Sequence, residues 1–221
     1  PIGSRGLGDV YKRQTKKKSY LSRWVLARKQ KAFLHQKNMT IVGLSKWINK
    51  CSKNSMLLKD KRHINLPNPI NTMIFKSHNR EKSRELWNLP KDKKLVLFGA
   101  MSATSDPRKG FKELSKAIME LKLDDVEIIV FGSSQPKNLP NLGYKIHYLG
   151  NLHDEISLVS LYSAVDVMVV PSLQENLSNA IMESLACGTP VVGFNIGGNV
   201  DMIQHRVNGY LAKPFESEDL A

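Results

Sequence analysis

Two loops in this sequence carry charged residues that could bind an anionic ligand. The first begins at Gly99, after an apolar strand, and ends in the adjacent cations Arg108 and Lys109 at the start of a helix. Cations oppose the helix dipole at that end, so they are unfavourable for a free helix and favourable for one that binds a phosphate. A solvated pair of surface cations explains the same residues about equally well, and both interpretations stay open.

The second loop, residues 171–178, carries Glu175 and leads into a helix on which Glu183 lies eight positions later. At about 100° per residue, the Glu183 side chain points away from Ile181 and Leu185, so periodicity alone predicts a solvent-facing residue. The loop also places backbone N–H groups at a helix start, and carboxylates accept hydrogen bonds from sugar hydroxyls. The two glutamates therefore also suit a sugar-containing ligand.

The dipeptide Gly197-Gly198, which follows a third apolar strand, is a candidate for a turn that lines a ligand. Glycine allows a ligand to approach the backbone closely. It equally allows an ordinary tight turn, which is the more frequent explanation.

Other chemistries lack the residues that they require. No Gly-x-Gly-x-x-Gly follows a strand and no Walker loop is present, which argues against nicotinamide oxidoreductases and P-loop NTPases. The sequence has no Gly-x-Ser-x-Gly nucleophile motif. Its six histidines show no metal-ligand spacing, and its two cysteines lie far apart in the sequence. We therefore predict no bound metal and a reducing, cytoplasmic compartment.

Strands and helices alternate over the region that carries these loops. Apolar strands are predicted at residues 94–99, 126–131 and 191–194, and helices with an apolar stripe fall between the strands. This alternation predicts an α/β fold, a Rossmann-like doubly wound parallel sheet with helices on both faces. In such sheets ligands bind beyond the carboxyl ends of the strands, where all the candidate loops lie.

Charge is distributed unevenly along the 221 residues. The composition is ordinary for a folded protein, at 41% hydrophobic and 24% charged. Residues 1–80 hold 19 Lys and Arg against two Asp, which gives +17, whereas the remainder holds 14 basic and 18 acidic residues, which gives −4. We predict a basic helix over residues 16–37 and a second helix capped by Ser45. The basic part is either a surface for nucleic acid or anionic lipid, or one edge of a larger domain.

The residues around the second loop match a known family pattern. Glu175 and Glu183 are followed by Ala-Cys-Gly-Thr-Pro-Val-Val at residues 186–192 and then by Gly197-Gly198. This pattern resembles the retaining glycosyltransferases of family 4. Their C-terminal domain carries two glutamates separated by seven residues, a small-Gly-x-Pro-Val-Val segment and a Gly-Gly turn. Residues 65–71 and 208–211 resemble that family's crossover into the donor domain and its closing strand.

The resemblance implies the GT-B architecture, in which a nucleoside-diphosphate sugar binds the C-terminal domain and the acceptor mainly the N-terminal one. It implies that Lys109, Arg108 and Glu175 are catalytic, with the two cations neutralising the donor diphosphate. It also implies that Glu183 accepts hydrogen bonds from the ribose hydroxyls. The donor-binding residues implied are Gly99, Asn176, Leu177, Ser178, Glu183, Gly197 and Gly198. No metal or other cofactor is expected, because fixed charge and helix dipoles stabilise the departing diphosphate.

Two positions depart from the family pattern. The family usually places Arg directly after the glycine of the first loop, where this sequence has Ala100, so Arg108 would supply that charge from the other end of the loop. The family's Gly-aromatic-Gly after the first glutamate is Asn-Leu-Ser at residues 176–178 here, which allows a different donor preference. The sequence leaves UDP and GDP equally open.

The resemblance also predicts how the chain is organised. We interpret residues 1–14 as a non-native linker, residues 15–74 as the tail of the acceptor domain with the interdomain crossover, and residues 75–221 as a donor domain that is incomplete at its C-terminal end. The chain is then a fragment that supplies the donor-binding half of a hexosyltransferase, with a growing polysaccharide or a lipid-linked glycan as acceptor. We expect it to transfer little sugar alone.

Two other functions are compatible with parts of the sequence. The basic N-terminal segment could contact nucleic acid or the anionic inner face of a membrane. Nucleic acid is disfavoured because Tyr20, Trp24 and Phe33 do not form a base-stacking platform on a sheet. A sugar-nucleotide epimerase of the same architecture would form its product from the nucleotide sugar alone.

Overall fold

The computed structural model describes residues 20–36, 38–99, 106–132 and 141–221. The described residues divide into two compact units, which meet in sequence between Asn68 and Pro69. The predicted boundary after residue 74 stays a prediction, and the predicted linker at residues 1–14 lies outside the described residues.

The smaller unit is built from one strand–helix–strand segment and a preceding helix. Its elements are helix α1 (Tyr20–Leu34), strand β1 (Thr40–Gly43), helix α2 (Lys46–Lys53) and strand β2 (Arg62–Asn65). The two strands pair in parallel. The Ser45 hydroxyl accepts a hydrogen bond from the Ile48 amide at 3.2 Å, which confirms the predicted cap of α2. Of the basic helix predicted over residues 16–37, the described part is α1.

The larger unit contains the strand–helix alternation that the sequence predicts. Its elements are α3 (Arg80–Leu86), β3 (Lys94–Gly99), a short 3₁₀ turn (Pro107–Lys109), α4 (Phe111–Glu120), β4 (Val126–Phe131), β5 (Ile146–Tyr148), α5 (Glu155–Ala164), β6 (Val167–Val170), α6 (Asn179–Ala186), β7 (Val191–Phe194), α7 (Asn199–Met202) and β8 (Gly209–Ala212).

These strands form a single parallel sheet of six in the order β5-β4-β3-β6-β7-β8. Counted within the unit, this is the order 3-2-1-4-5-6 of doubly wound dinucleotide-binding sheets. The chain leaves β3 towards one edge of the sheet and leaves β6 towards the other. The crevice beyond the carboxyl ends of β3 and β6 is therefore the topological switch point, and the predicted fold class is confirmed.

Alternating residues of the strands feed two hydrophobic cores, one on each face of the sheet. Leu95 and Leu97 of β3 pack in the core that includes Leu161 of α5. Phe98 of β3 packs in the other core, with Leu114 of α4. Both faces of the sheet are thus covered, which explains why β4 is buried along its whole length.

A buried arginine ties the chain together at the amino ends of the central strands. Arg84 is only 4% exposed. Its guanidinium donates to the carbonyl oxygens of Ala164, Pro90, Lys91 and Lys93 and to the Asp166 carboxylate. Asp166 also accepts from the Leu95 amide at 2.8 Å and from Arg80 at 2.7 Å. We call these contacts the amino-edge network, because they join the residues that lead into β3 and β6.

Candidate functional site

The predicted anion-binding cations lie on a short turn at the switch point. The 3₁₀ turn Pro107–Lys109 is capped by Asp106, whose Oδ1 accepts the Arg108 amide at 2.9 Å. The Arg108 guanidinium also donates to the Asp106 carboxylate, at 2.7 Å, and this hydrogen bonding holds the pKa of Asp106 below its ordinary value. The Arg108 side chain is thus paired within its own loop, and Lys109 is the cation that reaches across the crevice.

Gly110 brings the Lys109 turn against the loop that follows β6. Gly110 has a φ of +73°, and a Cβ atom on it would lie 1.9 Å from the carbonyl oxygen of Pro171. In addition, the Leu173 amide donates to the Arg108 carbonyl at 2.8 Å. Only glycine fits this conformation and this approach, so the two crevice loops are held together by their backbones.

Lys109 and Glu175 form an ion pair between these two loops. The Lys109 Nζ lies 3.2 Å from Glu175 Oε2, and the side chains are 30% and 14% exposed. The Ser172 hydroxyl donates to the same carboxylate oxygen at 3.4 Å, and the Asn176 amide donates to the other oxygen at 3.2 Å. The structure therefore brings together the cation and the first glutamate that the sequence singles out.

The Gly197-Gly198 turn lies directly on the backbone of Glu175. The Gly198 amide donates to the Glu175 carbonyl at 3.1 Å. Gly197 has a φ of +51°, and its Cβ would lie 2.0 Å from the same carbonyl oxygen. These contacts explain why glycine is needed at position 197. They also place the third predicted turn at the same crevice.

Backbone donors are available at the start of α6. Within the described part of the chain, the N–H groups of Leu177 and Ser178 donate to no protein acceptor. Ser178 is the N-cap residue of α6, and its side chain makes no capping hydrogen bond. The helix start is thus able to donate hydrogen bonds to an anion beside Lys109.

Glu183 departs from the solvent-facing position that helical periodicity predicts. It is half-buried on α6, and its Oε2 accepts a hydrogen bond from the Tyr162 hydroxyl at 2.9 Å. Burial holds the pKa of Glu183 above its ordinary value. Burial, with a contribution from the Glu183 charge, also raises the pKa of the Cys187 thiol to about 12. Periodicity failed here because α6 packs on α5 as well as on the sheet.

Gly99 has no side chain, and this allows the Phe131 ring to lie against the end of β3. A Cβ on Gly99 would lie about 2 Å from the ring of Phe131, which covers the end of β3. The predicted site residues therefore meet at Glu175, whose carboxylate contacts Lys109 and whose backbone carbonyl contacts Gly197 and Gly198. Gly99 lies at the same end of the sheet, where β3 ends. Ala100 and the loop residues 133–140 lie outside the described residues.

Two residues of the site were missed in the sequence. Tyr162 and Ser172 both donate to carboxylates of the crevice, yet neither belongs to the pattern of glutamates, cations and glycines. A tyrosine inside an apolar helix does carry one signal, since a buried phenol requires a hydrogen-bond partner.

Neither a metal cluster nor a membrane helix occurs in the described ranges. No group of three or more His, Cys, Asp or Glu residues there could hold a metal ion. No helix among those residues is both long and apolar enough to cross a bilayer.

Fold and site together define a doubly wound α/β domain with a cation and helix-start N–H donors at its switch point. Residues 92–221 match the model of the family described as Glycosyl transferases group 1. The match covers more than half of the chain, and the chain belongs to this family of enzymes.

Three known proteins show the extent of the similarity. An uncharacterized glycosyltransferase of Methanocaldococcus jannaschii is 31% identical over 139 residues, which are 59% of this chain and 34% of that protein. Sucrose-phosphate synthase from Thermosynechococcus elongatus has a TM-score of 0.74 at 24% identity, over 97% of this chain and 55% of its own. HepE from Anabaena, solved with UDP-glucose, has a TM-score of 0.70 at 20% identity, over 88% and 56%.

The two solved structures are similar to this chain in fold. The chain spans about a third of the length of the archaeal relative and little more than half of each solved structure.

Proposed function

We propose that this chain supplies the donor-binding half of a retaining glycosyltransferase. The enzyme would move a hexose from a nucleoside-diphosphate sugar to an acceptor such as a growing polysaccharide or a lipid-linked glycan. The observation that carries this proposal is the Lys109–Glu175 ion pair at the switch point, beside the unused N–H groups of Leu177 and Ser178.

The roles of the residues follow from their chemistry. A bound diphosphate would take Lys109 as its counter-ion and accept hydrogen bonds from the start of α6. Glu175 would then accept hydrogen bonds from the donor sugar, and Glu183 from the ribose. As the sugar–phosphate bond breaks, negative charge grows on the departing diphosphate, and the fixed cation and N–H groups stabilise it. We propose that no metal is required.

The ion pair between Arg108 and Asp106 limits the role that Arg108 can have in this reaction. Its guanidinium is held by Asp106, so we propose that it adds to the positive potential of the crevice and that Lys109 makes the direct contact. The family 4 assignment and the retention of configuration rest on the motif resemblance. The solved structure of HepE with UDP-glucose supports a nucleotide sugar as the donor class.

Calorimetry with a nucleotide panel tests this proposal. We expect one of UDP, GDP or ADP, or a corresponding nucleotide sugar, to bind the chain saturably. Lys109→Ala should weaken that binding about ten- to a hundredfold, because a charge-assisted contact is lost. Lys112→Ala, which removes an exposed lysine of α4, is the matched control and should bind as the unchanged chain does. Binding that is indifferent to Lys109, or no binding by folded chain, contradicts the proposal.

We also propose that α1 contacts an anionic membrane surface, at the inner face where lipid-linked acceptors would be presented. Leu21, Trp24 and Leu34 are 67%, 52% and 73% exposed, and α1 carries four cations and no acid. Arg28 stacks over the Trp24 ring at 4.7 Å. An exposed helix with apolar and cationic residues suits the lipid interface.

Vesicle sedimentation separates this membrane contact from the other readings of the basic segment. The chain should bind vesicles that contain phosphatidylserine and not pure phosphatidylcholine, and Trp24→Ser should weaken the binding. Binding to RNA in place of vesicles would favour the nucleic-acid alternative. Product formed from nucleotide sugar without an acceptor would favour an epimerase.

A further inference from the structure

Tyr162 aims its hydroxyl at the second glutamate from inside the core. The Tyr162 side chain on α5 is 0% exposed, and its hydroxyl donates to Glu183 Oε2 at 2.9 Å. No other hydrogen bond to the Glu183 carboxylate is found in the described part of the chain. One carboxylate oxygen is therefore held by the protein, and Oε1 is left to accept from a ligand.

Tyr162 is held by contacts of both its ring and its backbone. It makes an edge-to-face contact with Phe131, with the ring centroids 6.2 Å apart and the planes at 87°. Its backbone carbonyl accepts a hydrogen bond from the Thr189 hydroxyl at 2.6 Å. Thr189, in turn, accepts from the buried Ser184 hydroxyl of α6 at 3.0 Å. These hydrogen bonds link α5 to α6, the helices that carry Tyr162 and Glu183.

The surroundings of Glu183 otherwise disfavour its ionised form. Burial and the negative charge of Glu155 raise the pKa of Glu183, and only the Tyr162 hydrogen bond lowers it. The neighbouring Cys187 thiol is buried and carries no compensating charge. The Tyr162 hydroxyl is therefore the group that favours the ionised form of Glu183.

We propose that Tyr162 is a positioning residue for nucleotide recognition: by holding Glu183 Oε2, it presents Oε1 to the ribose hydroxyls and so sets the preference of the site for ribonucleotides. This inference rests on the proposed function and deepens it. It concerns a residue outside the pattern that pointed to that function.

Paired ligands test the proposal. The affinities of UDP and GDP, and of their 2′,3′-dideoxy counterparts, are measured by calorimetry for the unchanged chain and for Tyr162→Phe. The unchanged chain should prefer the ribonucleotide, and Tyr162→Phe should lower this preference about two- to tenfold, since one hydrogen bond to a charged group is lost. Affinity for the dideoxy nucleotide should stay the same.

A pH series adds a readout that a purely structural role would not change. As the pH falls, the ribose-dependent affinity should be lost at a higher pH in Tyr162→Phe than in the unchanged chain, because the variant lacks the hydrogen bond that lowers the pKa of Glu183. Tyr144→Phe is the matched control. The Tyr144 hydroxyl donates to the Leu121 carbonyl at 2.8 Å, beside the amino ends of the strands, and its loss should alter neither readout.

The outcomes separate this inference from the proposed function. If no nucleotide binds the unchanged chain, the proposed function itself is wrong, and the inference falls with it. If Glu183→Gln removes the ribose preference while Tyr162→Phe changes neither the preference nor its pH dependence, the proposed function stands and the role of Tyr162 is refuted. Tyr162→Met, a second replacement without a hydroxyl, is assayed beside Tyr162→Phe, and either folded variant decides the question.

Discussion

Charged groups at the two ends of the parallel sheet differ in how many hydrogen bonds they make within the protein. At the amino ends of the strands, the Arg84 guanidinium makes five hydrogen bonds to protein atoms, and Asp166 is satisfied by two arginines and an amide. At the carboxyl ends, Glu183 has one protein partner in the described ranges, and the N–H groups of Leu177 and Ser178 have none.

This difference separates a structural network from a binding site. A charged group whose hydrogen bonds are all made within the protein stabilises the fold and leaves nothing for a ligand. A group that is half-buried and incompletely satisfied costs stability until a ligand completes it. We therefore expect substitutions in the amino-edge network to lower stability, and substitutions at the carboxyl ends of the strands to change nucleotide binding.

Arg84→Met should have the largest effect on stability. The substitution removes one of the three partners of Asp166 and leaves several buried carbonyl groups without their donor, so we expect a loss of about 3–5 kcal/mol in the free energy of unfolding. Urea denaturation measures this loss. The matched control is Arg80→Met, which removes the exposed partner of the same Asp166 and should cost about 0–1 kcal/mol. Equal losses for the two variants would contradict the structural role of the buried network.

Gly110→Ala should have the next largest effect, at the carboxyl edge. A Cβ atom there would meet the Pro171 carbonyl at 1.9 Å in a left-handed conformation, so we expect a loss of about 1–3 kcal/mol and weaker nucleotide binding. The matched control is Gly143→Ala, since Gly143 has a φ of +78° but open space around its Cβ position. It isolates the conformational cost from the clash. Thermal melts and calorimetry of both variants should differ; if they agree, the loop contact is unimportant.

Glu175→Gln should change the balance between two ligands more than it changes stability. Without the carboxylate, Lys109 is no longer neutralised, so a nucleoside diphosphate should bind about two- to fivefold more tightly. The extra affinity for the nucleotide sugar should fall, because a neutral amide oxygen accepts hydrogen bonds from the sugar hydroxyls more weakly than a carboxylate does. Calorimetry with UDP and UDP-glucose, or the guanosine pair, gives both values. Glu120→Gln, an exposed acid at the end of α4, should leave them unchanged.

Glu183→Gln should give the smallest effect, which is a gain in stability. Because the pKa of Glu183 is raised by burial, the folded chain holds its proton more tightly than the unfolded chain does, and the ionised form costs stability as the pH rises. The variant should therefore be slightly more stable than the unchanged chain near neutral pH, as measured by urea denaturation. The gain should vanish as the pH falls below the ordinary value of 4.5. A stability difference that grows in acid would contradict the assigned direction of the shift.

Much of this architecture could be predicted from sequence because its signals are local. Strands such as Val126–Phe131 and Val191–Phe194 are short apolar runs bounded by turns, and they occur at the predicted residues. Ser45 could be predicted as the start of its helix, because residues with a side-chain hydroxyl are preferred at the N-cap position. Glu175 and Lys109 could be selected because each follows a strand that ends at the same edge of the sheet.

What could not be predicted depends on packing between distant elements. The Tyr162–Glu183 hydrogen bond joins two helices, and the periodicity of α6 alone would turn Glu183 to solvent. Asp106 takes the Arg108 guanidinium through the geometry of a tight turn, which composition does not reveal. In the sequence the buried Arg84 looks like one more charge of a polar helix, although its five hydrogen bonds go to two other segments of the chain, residues 90–93 and 164–166.

A crystal structure of this chain with the nucleoside diphosphate selected by calorimetry tests the central claim most directly. We expect diphosphate oxygens within hydrogen-bonding distance of Lys109 Nζ and of the N–H groups at the start of α6, with the ribose hydroxyls at Glu183. A nucleotide bound at the amino edge of the sheet, on α1, or away from Lys109 would contradict the assignment of the switch-point crevice as the donor site.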